Sequence, residues 1–106
     1  MRAGDLRHVV DFERLVKRND TAGQQVQEWE PVYTGVPAAV TYVGGVHGRR
    51  GEVVEERSTH KVHIRYIDDI NPAMRIKHEG RTYEIVSCGD PTGKRAELIC
   101  TVKEIR

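Results

Sequence analysis

A chain of 106 residues, 31% charged and 38% hydrophobic with a formal net charge of +1, is sized for one domain, 1–106, whose core stands alone on a small margin. The near-neutral balance excludes a nucleic-acid binder built on one dominant basic face, and no apolar run approaches the length that crosses a bilayer. Residues 1–5 lack the apolar centre of a signal peptide, so synthesis and use in a cytoplasm are expected.

Taken in chain order, Leu6 to Arg14 sets Leu6, His8, Val10 and Phe12 against Arg7, Asp11 and Glu13. This period-2 alternation predicts a strand with Val10 and Phe12 inward. Lys17 to Gln25 is polar and holds Asn19-Asp20-Thr21-Ala22-Gly23, which predicts a hairpin loop. Val26 to Tyr33 returns as a second strand carrying Trp29, the one tryptophan, and Pro31 makes its far end an edge or a break. Val36 to Val43 is a third short extended piece, in which Ala38 and Ala39 leave room for a neighbouring backbone.

Gly44 to Gly51 has four glycines in eight residues and does not form a packed element. Glu52 to Arg57 offers a helical turn or two behind Gly51, a poor cap. The segment 44–57 is therefore a flexible insertion, expected to order only against neighbours.

Ser58 to Ile67 has the clearest alternation in the chain. Val62, Ile64 and Tyr66 lie on one side and Lys61, His63 and Arg65 on the other. Asp68 to Pro72 is a turn, and Met74 to His78 a short strand. Glu79-Gly80 is the two-residue connection of a tight hairpin. Arg81 to Cys88 follows with Tyr83 and Ile85 on one face, Gly89 to Gly93 turns, and Ala96 to Ile105 ends the chain with Leu98, Cys100 and Val102 on one face. The total is an all-β chain, a small antiparallel barrel or sandwich of six or seven short strands. Its expected core is Val10, Phe12, Val62, Ile64, Tyr66, Ile76, Tyr83, Ile85, Leu98 and Val102.

Chemistry-bearing patterns are sparse. The five histidines are read as solvated strand residues, with His60 and His63 on opposite faces of one strand. Asp68 and Asp69 read as solvated turn carboxylates rather than a convergent acid–base pair. There is no P-loop, nucleophile elbow or zinc-protease motif, and the Gly44-Gly45-Val46-His47-Gly48 run has no strand–helix context for phosphate binding. Cys88 and Cys100 match no zinc spacing. They are expected to be free, buried structural thiols with nothing basic nearby to depress their pKa, although a hairpin would bring them close.

An ordered series of weak matches nevertheless runs along nearly the whole chain: Gly4-Asp5-Leu6-Arg7-His8; Asp20, Gly23 and Trp29; Ala39 and Val40; Thr59 to Tyr66; Ile70 to Ile76; Gly80 to Ile85; and Asp90-Pro91-Thr92-Gly93-Lys94. In these residues the sequence resembles the phage head–tail joining proteins, also called head-closure or stopper proteins. It departs from them in a more glycine-rich segment 44–57. The resemblance implies a small barrel without enzymatic activity or cofactor. Such a protein is assembled in the bacterial host cytoplasm and sits at the virion neck as a homo-oligomeric ring. It docks under the portal and its adaptor and presents a surface to tail proteins. It touches packaged double-stranded DNA only in passing, and no membrane. The insertion would face the channel and help to close it, with Gly44, Gly45, His47, Arg49, Arg50, Glu52, Glu55 and Glu56 as the candidate channel-loop residues. The competing reading is a small barrel that binds single-stranded nucleic acid through stacking aromatics.

Overall fold

The computed structural model describes residues 6–43 and 59–105. Among these there is no helix, and the candidate helical turn at Glu52 to Arg57 lies outside them. Six strands, β1 (His8–Asn19), β2 (Gln25–Tyr42), β3 (His60–Arg65), β4 (Arg75–His78), β5 (Arg81–Gly89) and β6 (Glu97–Ile105), close into an antiparallel barrel in the order β1-β2-β3-β6-β5-β4. Closure rests on three rungs between β1 and β4: Asp11 with Lys77, Phe12 with Ile76, and Glu13 with Arg75.

The interior is filled by the alternation read from the sequence. Val10, Phe12, Val62, Ile64, Ile76, Tyr83, Ile85, Leu98 and Val102 are all buried, joined by Ala38 and Cys100 from the walls and by Ile70 and Met74 from the loop after β3. A barrel this small is packed with side chains rather than hollow. Ala38 pairs with His8 on one side and Ile64 on the other, so its methyl sits where three strands converge.

Four expectations are corrected. Tyr66 packs against the core without being buried in it: β3 ends at Arg65, and Tyr66 is half-buried with its hydroxyl donated to Asp68 Oδ1 at 2.9 Å. His60 and His78 are not solvated: His60 continues the inward set of Val62 and Ile64, and both imidazoles are buried. β1 does not stop at Arg14 but runs to Asn19, because Leu15 to Asn19 find ladder partners in Trp29 to Gln25. The pieces Val26–Tyr33 and Val36–Val43 form one strand. Residues 25–37 pair with β1 only, so Pro31 and Pro37 sit on a one-sided ladder where a missing N–H costs nothing.

What joins the two halves of β2 is a bulge. Val10 pairs with Val36, Phe12 with Tyr33 and Glu13 with Pro31, so β2 carries extra residues here. Gly35 takes φ +67°, and its N–H donates to Asp11 Oδ1 at 2.9 Å. Bulges bend a strand and raise its twist. Residues 36–42 wrap the barrel, while Arg14–Asn19 and Gln25–Glu30 leave β4 and β3 behind and continue as a two-stranded arm. Six rungs at ~3.3 Å per residue make that arm about 20 Å long.

The turns follow their local chemistry. At the arm tip Asp20 Oδ1 accepts from the N–H groups of Ala22 and Gln24, and Gly23 takes φ +84°. Glu79 and Gly80 both have positive φ, the two-residue geometry that matches strand twist. The Asp90 carboxylate gathers the N–H groups of Arg95, Thr92 and Gly93, which hold its pKa below the usual aspartate value.

Ile64 is fully buried at the centre of β3, between Ala38 and Leu98. Ile64→Ala is expected to cost about 2–5 kcal/mol as a core truncation. Urea denaturation measures it, and an unmoved midpoint would contradict the register described.

Candidate functional site

Two surfaces concentrate what the barrel walls do not use. The first lies along the arm. One arm face is charged: Glu30 accepts from Arg14 Nε at 3.0 Å and Arg18 Nη2 at 2.6 Å, and Glu28 lies 3.4 Å from Arg18. The Arg14 guanidinium first, then Arg18, holds the Glu30 carboxyl below its ordinary pKa. These are exposed pairs of small individual worth; they fix the pairing of the arm more than its stability.

The opposite arm face carries one apolar rung at its base, followed by the polar rungs Lys17–Gln27 and Asn19–Gln25. Leu15 and Trp29 pair across it and remain 41% and 36% exposed. The Arg75 guanidinium stacks over the Trp29 ring at 4.2 Å and donates from Nε to Glu13 Oε1 at 2.7 Å. Arm and barrel are thereby joined through a cation–π contact and an ion pair that share one arginine. Two clefts flank this joint. One, of about 280 Å³, is lined by Trp29, Pro72, Met74, Glu84 and Ile105. The other, of about 480 Å³, is lined by Leu15, Val32, Asn71 and Met74. The loop between them is held by hydrogen bonds. Tyr33 donates its hydroxyl to Asp69, Ala73 N–H donates to Asn71 Oδ1 at 2.9 Å, and Met74 N–H to the Asn71 carbonyl at 3.1 Å.

The second surface is the rim from which the glycine-rich segment springs. Val43 N–H donates to the Thr59 carbonyl at 2.8 Å, so the two residues that bracket residues 44–58 are tied to each other. Thr59 is anchored in turn: its N–H donates to the Val102 carbonyl, and its Oγ1 accepts from Glu104 N–H at 2.8 Å. That leaves the hydroxyl hydrogen for His60 Nδ1, 2.9 Å away, which suits a neutral imidazole. The His60 ring meets Tyr83 and Tyr42 edge-on, at 4.9 and 5.3 Å between centroids. Burial lowers its pKa and outweighs the opposing pull of Glu104.

The candidate channel-loop residues Gly44, Gly45, His47, Arg49, Arg50, Glu52, Glu55 and Glu56 lie outside the described residues; the structure brings together their flanks. Sequence reading missed the Trp29–Arg75–Glu13 joint. A signal existed for the arm pairing: once the turn at Asp20 sets the register, Arg14 stands opposite Glu30 and Arg18 lies diagonal to Glu28. The stacking of Arg75, from a distant strand, had none. Among the described residues no group of three or more His, Cys, Asp or Glu side chains converges as a metal site. Of the two thiols expected to be buried, Cys100 is buried and Cys88 is only half-buried. A bulge at Val86, between the Ile85–Val102 and Ser87–Thr101 rungs, turns Cys88 to the side of Cys100. Their sulfurs are 3.5 Å apart, and the hydrogen bond with Cys100 lowers the Cys88 thiol pKa.

The described residues form a small side-chain-filled barrel with a projecting two-stranded arm and clefts at its base. The chain belongs to the phage head completion protein family, whose model matches residues 1–105. It is a head–tail connector protein of the virion. The barrel is similar to the solution structure of protein SF1141 from Shigella flexneri 2a, with 28% identity and a TM-score of 0.72 over 98% of this chain and 96% of that one. It also shares its fold with a chain in the virion of a native gene transfer agent particle, with 23% identity and a TM-score of 0.65 over 94% and 96%. No curated protein matches.

The single-stranded nucleic-acid alternative finds no support. Phe12 and Tyr83 are buried, the Tyr33 and Tyr66 hydroxyls are bound to aspartates that repel phosphate, and the Trp29 face is covered by Arg75.

The depressed pKa of His60 sets a pH dependence. The unfolded chain takes up the imidazole proton at the ordinary value of 6.5, the folded chain only at lower pH. Below 6.5 the unfolded state therefore binds more protons, and stability falls as pH drops toward the folded value. Urea midpoints measured from about pH 7.5 to about pH 5.5 should decline in the parent and decline less steeply in His60→Gln. Equal slopes would place the titration elsewhere.

Proposed function

We propose that the protein is the stopper-type connector of a tailed-phage neck, without enzymatic activity. It works as a homo-oligomeric ring that docks under the portal–adaptor assembly, closes the DNA channel and offers the tail its attachment surface. What supports this reading is the family match over residues 1–105, joined to one structural observation: the Val43–Thr59 hydrogen bond roots the segment 44–58 on the barrel rim at both ends.

In this reading Arg49 and Arg50 meet DNA phosphate, while Glu52, Glu55 and Glu56 keep the lining from gripping. Each added phosphate contact raises affinity, and a conduit that held DNA tightly would not let it pass. The glycines Gly44, Gly45, Gly48 and Gly51 supply the freedom to adopt a closed form only in the assembled neck. The apolar joint at Leu15, Trp29 and Ile105 is then the surface that other neck proteins cover, since a partly exposed tryptophan beside clefts is the usual anchor of an interface.

Two experiments test the reading. Deleting Val46 to Gly51 should spare folding and ring formation but let packaged DNA leak from tail-less heads. Heads that keep their DNA would place the gate elsewhere. Trp29→Ala should leave the circular dichroism spectrum unchanged and weaken co-sedimentation with the portal–adaptor complex or the tail by about thirtyfold, the loss typical of a hot spot. Unchanged co-sedimentation with both would remove the arm joint from the interface.

A further inference from the structure

We infer that Cys88 and Cys100 form a thiol–disulfide exchange site: Cys88 reacts with a low-molecular-weight disulfide, and Cys100 resolves the adduct into a cross-strand bond that staples β5 to β6.

The geometry is specific to this pair. Cys88 and Cys100 are directly opposite in the antiparallel ladder, with sulfurs 3.5 Å apart and both thiols free. Opposed residues in such a ladder have Cα atoms about 4.5–5.5 Å apart, within the span a disulfide accepts, and closing to about 2.05 Å needs only small side-chain rotations. The arrangement depends on the bulge at Val86. Strict alternation from Tyr83 and Ile85 would turn Ser87 inward and Cys88 away from Cys100.

The two thiols are not equivalent. Cys100 is fully buried among Val62, Leu98 and Val102 and has no route to a reagent. Cys88 is half-buried and lines an open cleft of about 280 Å³ with Ser87, Gly89, Asp90, Pro91, Ile99 and Thr101. The contact between the two sulfurs favours the thiolate on the more exposed Cys88, while that same contact and then burial raise the Cys100 thiol. One residue is therefore built to attack and the other to resolve.

The step balances as follows. The Cys88 thiolate attacks one sulfur of the small disulfide. That S–S bond breaks, one small thiolate leaves, and a mixed disulfide forms on Cys88. Cys100 gives up its proton, attacks the Cys88 sulfur and expels the second small thiolate. The protons lost by the two cysteines end on the two departing thiols, so one small disulfide is reduced as the dithiol is oxidised. Release of a virion from a reducing cell interior into an oxidising medium is the change that would drive it.

The test uses the full-length protein and oxidised glutathione as the probe. Intact-mass spectrometry should show the parent losing two hydrogen atoms without retaining glutathione. Dithiothreitol should reverse the change, and the oxidised form should melt about 5–10 °C higher. Cys100→Ala should stop at a stable glutathione adduct on Cys88, and Cys88→Ala should stay unmodified while folded. Should Cys100→Ala fail to fold, Cys100→Val takes its place. A parent that keeps both thiols free across the glutathione redox range would overturn the proposal. So would single variants modified at equal rates, since Cys88 would then hold no privileged position.

Discussion

Three rungs between β1 and β4 close the barrel, and most of the molecule depends on them. They hold the buried Phe12–Ile76 pair across the last seam, and they place Glu13 beside Arg75 on the outside. Closure removes the edges of the barrel itself, while β1 is longer than the barrel needs. Beyond Glu13 it parts from β4 and carries β2 away as the arm, and the bulge at Gly35, pinned by Asp11, takes up the change of direction.

The same economy explains Arg75. It belongs to the shortest strand, only four residues, yet it fixes the arm at two points through Glu13 and Trp29. Its side chain is about a quarter exposed, so water screens the ion pair less than those along the arm, where Arg14 and Arg18 are more than half exposed. The orientation of the arm thus rests on one partly desolvated arginine, and its pairing on several weak surface contacts.

Much of this was legible in the sequence because the barrel buries one face of each strand, and burial imposes a period of two. Nine of the ten expected core residues are buried in the core for that reason. Tyr66 is the exception, because the strand stops one residue before it and a neighbouring aspartate takes its hydroxyl. The glycine–aspartate turns were legible because their φ requirements are local. The bulges were not, since an extra residue at Val86 or near Gly35 is decided by pairing with a distant strand. Both reset the alternation: one turned Cys88 toward Cys100, and the other joined two apparent strands into one. Pro31 added to the apparent break, as nothing local says that its ladder is one-sided. The Trp29–Arg75 joint belongs to the same class, being a contact between residues 46 positions apart.

The hydrogen bond between Val43 and Thr59 has a consequence for how such a chain can vary and be altered. Because it ties the two ends together, inserting chain between them carries mainly a closure-entropy cost, about 0.6 kcal/mol for each doubling of length. This rim is therefore the position where related chains can diverge in length without renegotiating their cores. It is also where a foreign epitope or fluorescent tag can be grafted into the protein with the six strands left as they are.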